Sequence, residues 1–163
     1  MFDEKPSLVG PRRPTSLLLV VAATLVVMIW TTGRRAQADA PAGRYTLPGD
    51  GTVKDNRTGL VWKRNEEAGL FSWIGAKAQC TSPWRLPRIQ ELQTIIDYTK
   101  PTGPSIDATF FQGSSAASAP TSGFVWSSSP VTISPGQAWL VEFDGGIVNR
   151  NSTTLSGAVR CVR

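Results

Sequence analysis

Two cysteines, Cys80 and Cys161, stand about 80 residues apart, and a bond between them would tie the middle of the chain to its last residues. Compartment decides whether such a bond forms. Leu17–Trp30 reads LLLVVAATLVVMIW, with Thr24 its one polar residue; Arg12 and Arg13 precede it, and Ala36-Gln37-Ala38 follows as a small-x-small cleavage site ahead of Asp39. At 1.5 Å per residue the run spans about 21 Å, short of a bilayer core of about 30 Å. Residues 1–38 are therefore expected to be a signal peptide cut after Ala38. The rival is an uncleaved signal anchor over residues 16–33, which Arg34 and Arg35 favour by standing between the run and the cut. On either reading the body is exported to the periplasm, cell surface or extracellular space, and meets a membrane only through that segment. An even pair of cysteines in an exported chain is expected to be a disulfide, worth about 4.5 kcal/mol in the chain-entropy model. Two free redox thiols would instead be expected in a CxxC-type spacing, which the sequence lacks.

The 163 residues include no histidine, which removes Ser–His–Asp and Cys–His triads, imidazole bases and histidine metal sites. Two cysteines are too few for a four-cysteine zinc site or an iron–sulfur cluster. No cofactor and no metal are expected. Six tryptophans and fifteen glycines point to an aromatic core joined by tight turns. The net charge of +5 is mostly a property of the leader: up to Ala38, five cations stand against Asp3 and Glu4, leaving +2 for the body. No Lys/Arg block remains there to neutralise a run of phosphates, so nucleic acid is not an expected partner.

Residues 39–45 read as a Pro/Ala/Gly linker, with Arg44 to Leu47 a first short strand. Thr52–Asp55 and Leu60–Lys63 are β-prone runs around Asn56-Arg57-Thr58-Gly59, the pattern of a hairpin. Ser72 is placed to N-cap a helix over Trp73–Cys80, with Trp73, Ala76 and Cys80 on one face. Ile89, Leu92, Ile95 and Ile96 give the stripe of a core-facing helix over Arg88–Tyr98. Gln112–Gly123 (QGSSAASAPTSG) is a low-complexity loop. Strands return at Phe124–Ser128, Ala138–Phe143 and Ile147-Val148, and the chain closes on AVRCVR. Hairpin, two helices, loop, then strands is the order of an α+β domain with a largely antiparallel sheet.

Four pieces carry a resemblance in this order: GTVKDNRTGLVWKRN (Gly51–Asn65), WRLPRIQEL (Trp84–Leu92), VWSSS (Val125–Ser129) with AWLVEFDGG (Ala138–Gly146), and VRCVR (Val159–Arg163). Together they resemble the Lcl C-terminal domain, the DUF1566 family of bacterial exported domains, over residues 46–163. The resemblance implies a C-type-lectin-like fold with mostly antiparallel sheet, two helices and one disulfide, in which a cysteine by the first helix bonds to one in the last strand. Cys80 and Cys161 stand at those places. It also implies a recognition role on adhesive surface proteins, with sulfated glycans and trimer formation among the properties of relatives.

Two departures matter. Arg88 sits where the family places a Thr or Ser able to cap the second helix, so Glu91 is expected to lose its capping-box partner. Only three residues separate Cys80 from Trp84, where many relatives carry a longer loop. Trp62, Trp84, Trp126 and Trp139 are expected as core or half-buried aromatics; Trp126 is also the best candidate for stacking on a sugar, which requires an exposed face. Arg85 is expected to order backbone carbonyls or a carboxylate such as Asp97 or Glu91. Asn149, Arg150 and Asn151 place one charge and two amides on an expected loop, chemistry suited to hydroxyls or a sulfate. The motifs of calcium-dependent lectins are missing, and Glu66, Glu67 and Asp55 are the thin basis for any acid/base pair. The sequence therefore points to an exported, non-catalytic recognition module for a glycan or a surface protein, as a monomer or an oligomer. The alternative is a structural or assembly subunit of a surface organelle.

Overall fold

A computed structural model describes residues 40–100, 103–113 and 123–163; the expected leader and residues 114–122 of the Gln112–Gly123 loop lie outside them. β2 (Thr52–Asp55) and β3 (Val61–Lys63) form the expected hairpin, with Val53 opposite Trp62. Asp55 builds the turn. Its carboxylate accepts from the N–H groups of Arg57 (2.9 Å) and Thr58 (3.4 Å), and its carbonyl accepts from Gly59 N–H (2.8 Å). Gly59 has φ 78°, a conformation that favours glycine. β1 (Tyr45–Thr46) pairs with the other edge of β2. Residues 40–45, expected as a linker, are held by specific bonds. Ala40 N–H donates to Asp107 at 3.3 Å, and the Arg44 guanidinium donates to Asp55 (3.4 Å) and to the Thr94 carbonyl.

Ser72 Oγ accepts from Gly75 N–H at 3.3 Å and opens α1 (Trp73–Gln79), whose Ala76 is fully buried. α2 (Ile89–Gln93) is shorter than the stripe suggests. Thr94, Ile95 and Ile96 are β-branched, and the Thr94 hydroxyl donates to the Glu91 carbonyl at 2.7 Å, so the chain leaves the helix there. Ile95 and Ile96 are nevertheless buried. The expected loss of the capping box is half corrected. The Glu91 carboxylate still accepts from Arg88 N–H at 2.8 Å, while a guanidinium has no acceptor to complete the reciprocal bond.

β4 (Phe124–Pro130), β5 (Gln137–Glu142) and β6 (Ile147–Ser152) form a second antiparallel sheet in that order. Both of its faces are covered. Val125 and Val141 join Tyr45, Val53, Trp62 and the α2 stripe in one core. Phe124, Trp126, Ala138 and Leu140 join Ala76, Leu86 and the two cysteines in another. A strand buried on both sides has no polar face, which is why Phe124-Val125-Trp126 reads as a continuous apolar run.

The last seven residues stitch these parts together. Ala158 pairs parallel with Val125, while Val162 bridges both Trp62 and Arg85. Arg163 and Val61 exchange two backbone bonds of 2.9 and 3.0 Å. Cys161 is bonded to Cys80 with the Cα atoms 5.6 Å apart. The described fold is thus α+β: two antiparallel three-stranded sheets, two helices and one disulfide. No helix among the described residues is long and apolar enough to cross a membrane.

Candidate functional site

Asn149, Arg150 and Asn151 lie in β6, the edge strand of the second sheet, and not on the expected loop. Their polarity is that of an uncovered edge. Asn149 Oδ1 accepts from Arg150 N–H (2.8 Å) and Asn151 Oδ1 from Ser152 N–H (2.9 Å), so alternate amides along the edge are met by the preceding side chain. Asn149 Nδ2 also donates to Glu142 at 2.9 Å. Arg150 stands opposite Trp139, exposed and without an ion pair among the described residues. Both asparagine carbonyl groups are therefore engaged within the strand, leaving Arg150 the freest of the three.

Trp126 has no exposed surface, its ring meets Phe124 edge-on at 4.9 Å, and its Nε1–H donates to the Phe71 carbonyl at 2.9 Å. It cannot stack on a sugar. The alternation of β4 turns it into the disulfide core, where its indole is satisfied by backbone. Trp62 is equally buried, while Trp84 and Trp139 are half-buried.

Arg85 does what its fork geometry suggests: Nη1 and Nη2 each donate to one oxygen of Glu91 at 2.7 Å. That pairing holds the Glu91 carboxyl below its ordinary range, with the Arg85 hydrogen bonds the main cause and burial opposing. Beside the pair lies a shallow hollow of about 340 Å³ lined by Lys77, Cys80, Arg85, Leu86, Arg88 and Ser128. Two segments supply its cations and a third supplies Ser128. Lys77 comes from α1, its Nζ 3.3 Å from the centroid of the Trp73 ring. Arg85 and Arg88 come from the approach to α2. Ser128 comes from β4, where its N–H donates to the Pro87 carbonyl at 2.7 Å. Lys77 and Arg88 make no ion pair among the described residues, so the hollow presents more positive charge than Glu91 neutralises.

The acids considered for catalysis are each engaged by a cation: Asp55 by Arg44 (3.4 Å), Glu66 by Arg160 (3.3 Å) and Glu67 by Lys63 (2.5 Å). Arg160 is fully buried. It donates to the carbonyls of Lys63 (3.0 Å), Arg64 (2.6 Å) and Gln112 (3.0 Å) as well as to Glu66, and lies 5.4 Å from the centre of the Phe111 ring. Burial pulls its pKa down from the usual arginine value, with Glu66 opposing.

The family model for the Lcl C-terminal domain matches residues 51–163, every element from β2 to the final stitch. The chain belongs to the Lcl C-terminal domain family. No curated protein matches it.

Two features of this Lcl C-terminal domain escape a reading of its sequence. Lys77 lies on another element than Arg85 and Arg88, so only the fold brings it beside them. Arg160 did leave a signal. A charge inside the apolar stretch Ala158–Val162 must be paired if the stretch is buried.

Proposed function

We propose that this Lcl C-terminal domain is a non-catalytic recognition module, exported by the N-terminal segment, that takes an anionic saccharide through the hollow of Lys77, Arg85 and Arg88. The observation that carries this is the convergence of Lys77, Arg85 and Arg88 on an open hollow of about 340 Å³, with Arg85 alone of the three in an ion pair among the described residues; the volume is within that of known small-ligand sites, about 300–1,000 Å³. Guanidinium forks and an ammonium suit the oxyanion of a sulfate ester or a carboxylate. The paired state of Asp55, Glu66 and Glu67 supports a binding role over an acid/base one. The disulfide supports an oxidising compartment, and its link from the first helix to the last segment supports the C-type-lectin-like fold that the family implies. Titration with a sulfated oligosaccharide and its desulfated counterpart tests the proposal. Preference for the sulfated form, weakened by salt, supports it; equal or absent binding by folded protein contradicts it.

A second reading, an assembly subunit with a protein partner, draws on Ile133 and Ile74, 85% and 76% exposed. Such scattered single side chains are common on monomers, so they weigh less than the cationic hollow.

A further inference from the structure

We infer that a second hollow, between the β2–β3 turn and the end of α2, is a separate site for a pyranose ring bearing a carboxylate. It measures about 380 Å³ and is lined by Arg57 and Thr58 of the turn, by Gln93, Thr94, Ile96 and Tyr98 beyond the helix, and by Arg44 behind them. Tyr98 is the exposed aromatic that Trp126 is not. It is 69% exposed and at the rim of a hollow, where an exposed ring is a platform more than a stray apolar residue. Around it stand an amide from Gln93 and a hydroxyl from Thr58, which can donate to and accept from sugar hydroxyls, and the Thr94 oxygen, which gives its proton to the Glu91 carbonyl and can only accept. Arg57 is exposed and makes no ion pair among the described residues, so its planar fork is free for a carboxylate. Among the described residues no acid lines the hollow.

Both walls are held in place from behind. Asp55, with no exposed surface, fixes the N–H groups of Arg57 and Thr58 and pairs with Arg44; Arg44 also donates to the Thr94 carbonyl. One buried ion pair thus joins the turn that carries Arg57 to the segment that carries Tyr98. Sites so organised lose less freedom on binding. This inference uses none of the residues of the cationic hollow and stands or falls independently of it.

The test is a titration of the full-length, disulfide-bonded protein with trigalacturonate, its neutral methyl ester and triglutamate, followed by side-chain NMR and calorimetry. The expected result is saturable binding of trigalacturonate that shifts the Tyr98 and Arg57 resonances, with the methyl ester weaker by about tenfold. Tyr98→Ala is expected to weaken binding by about tenfold or more, and Arg57→Ala to make acid and ester bind alike. Arg150→Ala, an exposed cation on β6 away from the hollow, is expected to leave trigalacturonate binding unchanged. Shifts confined to Lys77 and Arg88, triglutamate binding as tightly as trigalacturonate, or unchanged affinity in Tyr98→Ala would each overturn the inference. Both rim side chains are exposed, and unchanged thermal melting of the variants separates lost binding from lost folding.

Discussion

Arg85 holds both oxygens of Glu91 at 2.7 Å while the same carboxylate accepts from Arg88 N–H at 2.8 Å. One acid thereby orients one guanidinium of the cationic hollow, caps α2 and fixes the backbone that carries another guanidinium. It makes the hollow a consequence of how the helix begins.

Acid should undo this arrangement. Glu91 is held below its ordinary pKa, chiefly by the Arg85 hydrogen bonds, so the unfolded chain binds its proton more readily than the folded one. Its contribution is complete above the unfolded value of about 4.3 and is lost as pH falls through the lower folded value. Glu91→Gln is expected to lower stability at neutral pH and to approach the parent in thermal melts as pH falls below the unfolded value of about 4.3. Parallel curves over that range would contradict the role.

Arg160 is the residue whose loss should be felt most. Removing it takes a charged donor from Glu66 and from three backbone carbonyls, and breaking such a buried pair destabilises by about 3–5 kcal/mol. Arg160→Met is expected to show that loss in urea unfolding. Arg160→Lys is expected to recover only part of it, because one ammonium cannot reproduce a fork that reaches both Arg64 and Gln112.

Gly157 passes against the second core so closely that an added Cβ would lie 2.2 Å from the Phe124 ring and 2.9 Å from Trp126 Nε1. Gly157→Ala must displace one or both aromatics, and overpacking of this kind costs about 1–3 kcal/mol. The expected signature is a lower denaturation midpoint together with an altered tryptophan near-UV signal.

The disulfide contribution follows from its span of 81 residues. Replacing both cysteines by serine is expected to destabilise the protein by about 4.5 kcal/mol, measured against the oxidised parent in urea. A loss below about 1 kcal/mol would mean that the unfolded chain is already constrained without the bond.

The parts legible in the sequence are those with local chemistry. Asp55 and Gly59 specify the hairpin, Ser72 specifies the start of α1, and the Ile89–Leu92–Ile95–Ile96 stripe specifies what packs inward. The expected export and the even cysteine count point to Cys80–Cys161 without any geometry. β6 was hidden because Asn149-Arg150-Asn151-Ser152 is an uncovered edge, and a polar edge strand looks like a loop. Trp126 was ambiguous because composition cannot say which way a tryptophan faces; the β4 register decides it. The cationic hollow was invisible for a different reason. Lys77 comes from α1 and meets Arg85 and Arg88, on the approach to α2, only after folding.

The most direct test of the proposed function is the affinity of a sulfated heparin hexasaccharide for the parent, for Lys77→Ala with Arg88→Ala, and for Arg150→Ala, at low and physiological salt. Exposed ion pairs are worth up to about 1 kcal/mol each, so loss of two cations should weaken binding by about tenfold. Salt should narrow the difference, and Arg150→Ala should stay close to the parent. Parent-like affinity in the double variant, or no binding by the well-folded parent, would contradict the proposal.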